Sequence, residues 1–222
     1  MALPGDFNTV LVAQNLNPSI FSQLWLVRHG IFEDAELTAG NFLFSPLAVN
    51  VETPQLVFMA VPERIQIAFV SDKVDGESCQ QSLHRTLGRI CSELPHTPFL
   101  AVGFNMGWTL EARNDVKMAP LERKFFLAEE NPLAKFFSDE KSRFGCYLSK
   151  DFELGRLKLD IKPVVLKDGS STIRMVFNFH LDLSGEDKIA QIKKFLSCWA
   201  TAFKTSCTLR ETLGQGWSKD GA

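Results

Sequence analysis

The strongest restriction on this chain is an unbroken alternation near its end. Ile173, Met175, Phe177, Phe179, Leu181 and Leu183 fall on one side of an extended segment, and Arg174, Asn178, His180 and Asp182 on the other. Period two is the strand period, so this stretch is a strand with one dry face. Such a strand needs antiparallel neighbours and a second layer over its apolar side. Residues 154–166 repeat the pattern, with Leu157, Leu159 and Ile161 set against Arg156, Lys158 and Asp160. Asp168-Gly169 between the two marks a turn. A loop of three or five residues there keeps both apolar sets on one side. It sets Arg156 opposite Asp182, Lys158 opposite His180 and Asp160 opposite Asn178. A slip of one residue would turn Phe177 and Phe179 to water, so the apolar face fixes the parity.

Helical periodicity supplies the covering layer. Residues 77–94 carry the stripe Cys79, Leu83, Leu87, Ile90, Cys91 and Leu94, with Arg85, Arg89 and Glu93 outward and Arg89 spaced to pair with Glu93. Ser184-Gly-Glu-Asp187 has the form of a capping box. The helix after it is expected to run to about Thr212 through Ile189, Ile192, Leu196, Trp199 and Phe203, with Gly214 as its end signal. A further helix is expected over Pro120–Phe137, interrupted at Asn131-Pro132, and a short one over Ser19–His29, ended by Gly30. Strands are expected at Phe7–Ala13, Ala48–Glu52, Gln55–Val61, Arg64–Val70, Phe99–Glu111 and Phe144–Ser149. Pro62-Glu63 forms a hairpin turn, Gly103 and Gly107 suggest a bulge, and 31–46 reads as a loop.

The order is strand–helix–three strands–helix, twice over. The expected fold is therefore α+β: two pseudo-repeated units forming antiparallel sheet with helices packed on one face. The expected halves are 1–96 and 97–222, joined as one compact unit. At 222 residues the chain can bury a full core without disulfides or metal. The element order is similar to that of TATA-binding-protein and helix-grip folds, an analogy that carries no function.

Several short motifs are similar to a family of uncharacterised bacterial proteins of about this size. They are Asn17-Pro18-x-Ile20-Phe21 with Trp25, Leu94-Pro-His-Thr-Pro98 followed by Gly103-x-Asn105, and Met118-Ala119-Pro120. The resemblance covers about residues 15–120 in pieces and implies no activity.

The chemistry-bearing residues are sparse. No phosphate-binding glycine loop, nucleophile elbow, HExxH or CxxC pattern is present. His29 and Glu33 are the nearest approach to a metal pair. Because Gly30 ends the helix between them, they need not share a face, and no metal or cofactor is expected. Net charge is −2, which gives no general attraction to nucleic acid. Residues 1–60 hold one base against five acids, and residues 117–222 hold 18 bases against 14 acids, so the halves could attract each other within or between chains. The five cysteines read as small core hydrophobes in a cytoplasmic protein, and the polar residues throughout 7–27 argue against a membrane helix.

Two places attract attention. His96 sits in a stiff proline-flanked segment. Arg156, Lys158, His180 and Asp182 share the polar face of the 154–183 hairpin. Three readings follow. The first is a non-enzymatic protein-interaction or assembly module whose partner is another protein or itself. The second is a small-ligand binder with a pocket between the C-terminal helix and the sheet, lined by Phe177, Trp199 and Phe203. The third is a hydrolase-type enzyme using the His180/Asp182 pair or His96.

Overall fold

The computed structural model describes residues 6–70, 74–112, 126–127, 131–139 and 142–219. In chain order its strands are β1 (Phe7–Ala13), β2 (Asn41–Phe44), β3 (Val49–Glu52), β4 (Leu56–Val61), β5 (Arg64–Phe69), β6 (Phe99–Thr109), β7 (Cys146–Phe152), β8 (Gly155–Val165) and β9 (Ser171–Asp182). Its α-helices are α1 (Gln23–Arg28), α2 (Asp34–Thr38), α3 (Gly76–Leu83), α4 (Arg89–Glu93), α5 (Pro132–Phe136), α6 (Lys188–Leu196) and α7 (Trp199–Lys219). All strands join one nine-stranded antiparallel sheet in the order β2-β3-β4-β5-β1-β6-β9-β8-β7. The fold is α+β.

The topology has an internal symmetry. In the first half, the meander β3-β4-β5 lies beside β1. In the second half, the meander β7-β8-β9 lies beside β6. β1 and β6 pair antiparallel through Asn8↔Asn105 and Leu11↔Val102, so one hydrogen-bonded ladder runs across both halves. The large buried apolar residues of β1, β3–β6, β8 and β9 fall on the helix-covered side, while Val10, Val12, Val57 and Met59 lie on the other face. Leu11, Phe58, Ile65, Phe104, Phe177 and Phe179 are fully buried there and belong to a single core cluster. Burying one such side chain is worth about 1.5–3 kcal/mol, far more than any polar pair on the other face.

Several local expectations are corrected. Residues 31–46 are not a bare loop. They hold α2, closed by a reciprocal Glu33/Glu36 capping box, and the edge strand β2. β6 has no bulge at its glycines; the register instead shifts opposite Leu100, between Val12 and Ala13. The 77–94 stripe is buried as expected up to Cys91, but His84–Gly88 widen into a π turn between α3 and α4. Arg89 does not pair with Glu93. His29 takes Glu93 at 2.9 Å, and Arg85 reaches Glu36 at 2.8 Å. Asp187, not Ser184, caps α6 by accepting the Ala190 N–H at 3.0 Å. The C-terminal helix breaks at Ser197-Cys198 and then continues past Gly214 to Lys219. Cys146, Cys198 and Cys207 are half-buried rather than core residues. Burial pushes the Cys79 and Cys91 thiols up to about 12. Met118-Ala119-Pro120 and most of the 120–137 helix lie outside the described residues.

The Pro62-Glu63 hairpin has the expected register, with Ala60↔Ile65 and Phe58↔Ile67. The β8–β9 hairpin keeps the expected parity but is shifted by two residues along β9: Arg156 lies opposite His180, Lys158 opposite Asn178 and Asp160 opposite Val176. The turn explains the shift. The Gly169 N–H bonds to the Leu166 carbonyl at 3.0 Å, and the Leu166 N–H bonds to Ser170 at 2.8 Å. Gly169 takes φ +83°, the left-handed position that ends a three-residue loop. The loop is therefore centred on Asp168. Asp168 accepts from the Ser170 hydroxyl and N–H, and these bonds hold its carboxyl below the ordinary value.

Candidate functional site

The polar face of the hairpin gathers four of the sequence candidates. His180 Nε2 lies 2.9 Å from Asp182 Oδ1, two residues along the same strand. Arg156 stands opposite His180 but turns outward to β7. Its Nε donates to Ser149 Oγ at 2.7 Å and its Nη1 to Asp151 Oδ1 at 2.9 Å. Asp151 is 91% exposed, so that pair contributes little. Lys158 faces Asn178, whose amide donates to Asn105 at 2.8 Å, and Asn105 in turn donates to Asn8 at 2.8 Å. This amide ladder ties β9, β6 and β1 together and occupies groups that could otherwise hold a ligand. His96 is exposed in the turn before β6, where the Thr97 N–H bonds to the Leu94 carbonyl at 3.1 Å. It makes no hydrogen bond or ion pair with the other four.

A histidine oriented by a carboxylate can act as a base. His180 has Gly103 on one side and Arg156 on the other, and no hydroxyl or thiol is hydrogen-bonded to its ring among the described residues. The described residues also contain no cluster of three metal-ligating side chains. Sequence reasoning missed a serine–histidine contact elsewhere. Ser197 Oγ, at the α6–α7 break, lies 3.2 Å from His84 Nε2 in the π turn. Burial and the nearby Lys193 charge lower the His84 pKa, which favours the neutral ring. The Ser197 hydroxyl is also within 3.1 Å of the Lys193 carbonyl. No carboxylate orients His84 among the described residues, so the contact pins one helix pair to another.

The feature with the shape of a binding site lies on the other side of the sheet. A groove of about 550 Å³ runs between α7 and the inner face of β7 and β8. Its sheet wall is Leu148, Lys150, Leu157 and Leu159. Its helix wall is Thr201, Lys204, Thr205, Thr208 and Leu209. The sequence builds it by contrast between two flanks of α7. Trp199, Ala202 and Ser206 are fully buried on the core. The neighbouring stripe, Thr201, Thr205 and Thr208, carries short β-branched side chains and lines the groove across from β7 and β8. The Thr205 hydroxyl donates to the Thr201 carbonyl at 2.8 Å, which satisfies one polar group of that wall within the helix.

The pocket expected behind the C-terminal helix is thus displaced sideways. Phe177 and Trp199 are fully buried core residues, and Phe203 packs on Phe7 and Trp108 at ring separations of 5.7 and 6.1 Å. None of the three lines the groove. The threonine stripe with Lys204, set against Leu148 and Lys150, is the signal that could have located it. A second hollow of about 210 Å³ lies between α3 and the ends of β4 and β5. It includes Asp75, whose carboxylate is already committed to capping α3 through the Ser78 N–H at 2.8 Å.

No described helix is long and apolar enough to cross a membrane. No family model and no curated protein matches the chain. Among solved structures, the chain is similar to DynU16, described as a protein in the dynemicin biosynthetic locus. The match has 11% identity and a TM-score of 0.28 over 93% of this chain and 100% of that one. Likeness at that level carries no argument about function.

Proposed function

We propose that this protein is a non-enzymatic binder of a small apolar ligand held between α7 and the β7–β8 strands. One observation carries the reading: a groove of about 550 Å³ whose walls are mostly leucines and threonines, with Lys150 and Lys204 among them. That volume falls in the range of small-molecule sites, which are concave, mostly apolar and furnished with few polar groups. Decanol is a suitable neutral probe. At about 100 times its dissociation constant, a ligand that binds the folded state alone stabilises it by about 2.7 kcal/mol. We expect a melting-temperature rise of several degrees in the wild type. Thr205→Trp places an indole in the middle of the groove, so it should melt like the wild type without ligand and show a much smaller rise with it. Absence of a shift in the wild type, or an equal shift in Thr205→Trp, would refute the assignment.

One observation favours a second reading, self-assembly. Edge strand β2 and the turn after it expose Leu43 (68%), Phe44 (45%) and Leu47 (72%). Residues 37–51 carry no charge, so antiparallel pairing of β2 with β2 of a second copy would place no like charges together. Light scattering should then report a dimer that Leu43→Lys converts to monomer. A wild-type monomer at high concentration would remove this reading.

A further inference from the structure

We infer that the groove is selective for an amphiphile with an anionic head: an apolar body carrying a carboxylate or similar acid. The inference rests on the ligand-binding reading above and specifies the chemistry of the ligand. Two of the residues lining the groove are cations and none is an acid. Lys150 stands at an inward position of β7, directly opposite the buried Leu157. Lys204 faces it from α7. Neither ammonium has a hydrogen-bond or ion-pair partner among the described residues. Asp151, the carboxylate next to Lys150 in sequence, points to the other face of the sheet and binds Arg156.

An inward-pointing lysine on an edge strand has a simple alternative role, since such charges discourage edge-to-edge aggregation. Lys150 alone fits that role. Lys204 does not, because it lies on a helix and has no edge to protect. Two like charges converging on one apolar groove repel each other weakly, and an anion between them relieves the repulsion. The leucines give the body of the ligand its contact area, while the two long flexible side chains can reach an acid at the groove mouth.

The discriminating experiment compares decanoate with decanol by calorimetry on the full chain at neutral pH. Both probes share the apolar body and differ at the head. Exposed ion pairs are individually weak, so the expected preference for decanoate is about three- to tenfold. Lys150→Met/Lys204→Met should abolish the preference by weakening decanoate more than decanol. A second measurement needs no variant. Raising salt from about 0.01 M to 1 M shortens the screening length from roughly 30 to 3 Å, so the wild-type preference should shrink toward unity while decanol binding persists. Equal wild-type affinities, or a preference that survives both the substitutions and high salt, would overturn the acid selectivity and leave the groove itself standing. Failure of both probes to bind would overturn the groove reading as well.

Discussion

Trp199→Ala should lower stability by about 3–5 kcal/mol and leave a single unfolding transition. Trp199 is fully buried at the start of α7, with Phe69 of β5 at a ring separation of 5.4 Å and Phe104 of β6 at 5.0 Å. Those strands belong to different halves and are separated by β1, so one indole bridges the seam. Among the described residues its N–H has no hydrogen-bond partner. The loss on truncation is therefore contact area plus cavity, with no bond to subtract. For a chain of this size, each kcal/mol moves the melting temperature by about 2–4 °C, which predicts a fall of roughly 6–20 °C. Trp199→Phe keeps most of the ring contact and removes the orphaned donor, so it should cost much less. A loss below about 1 kcal/mol for alanine would mean that the seam is not packed as described. Two separate transitions, in the variant or the wild type, would show that 1–96 and 97–222 unfold as independent units despite the shared sheet.

The large features were legible because they rest on periodicity. Alternation at 154–183 fixes which residues of β8 and β9 face inward, and Phe177, Phe179, Leu157 and Leu159 are all buried. The element order is enough to imply α+β. What was not legible depends on single residues or on neighbours distant in sequence. One left-handed glycine recentres the β8–β9 loop and moves Arg156 from Asp182 to His180. The helix α2 is five residues long, too short to nucleate by propensity, and is held by its cap and by Arg85 reaching across to Glu36. A π turn leaves no mark on the pattern, because the extra residue is absorbed while Leu83, Leu87 and Ile90 stay inward. The groove was misplaced for a related reason. Large aromatic residues suggested a pocket lining, whereas close packing makes them core. An open space forms where side chains are too short to meet, and the length of Thr205 has meaning only once β7 is known to lie across from it.

That dependence on close approach gives the second large expected effect. Gly155→Ala should destabilise by about 2–3 kcal/mol. Gly155 opens β8 beside the carbonyl of His180, and a methyl group built on it would overlap that backbone oxygen and also come within 3.2 Å of Phe195 Cε2. Ordinarily, alanine for glycine stabilises by about 0.4–1 kcal/mol by restricting the unfolded chain. Here the sign reverses, because the obstacle is backbone and no rotamer change relieves it. Overpacking of this kind costs about 1–3 kcal/mol, occasionally more, and can be relieved by parting β8 from β9. The preceding turn has little slack to give, since Glu153 already sits at φ +49°. Parting the strands at Gly155 would also displace Leu157, two residues on, which forms part of the groove wall. Gly155→Ala should therefore weaken decanol binding as well as the fold. Leu154→Ala next to it, at a position 40% exposed, should change stability by no more than about 0.5 kcal/mol and leave binding intact. If Gly155→Ala unfolds at the wild-type denaturant midpoint, β8 does not approach β9 this closely at its start, and the sheet wall of the groove is placed wrongly.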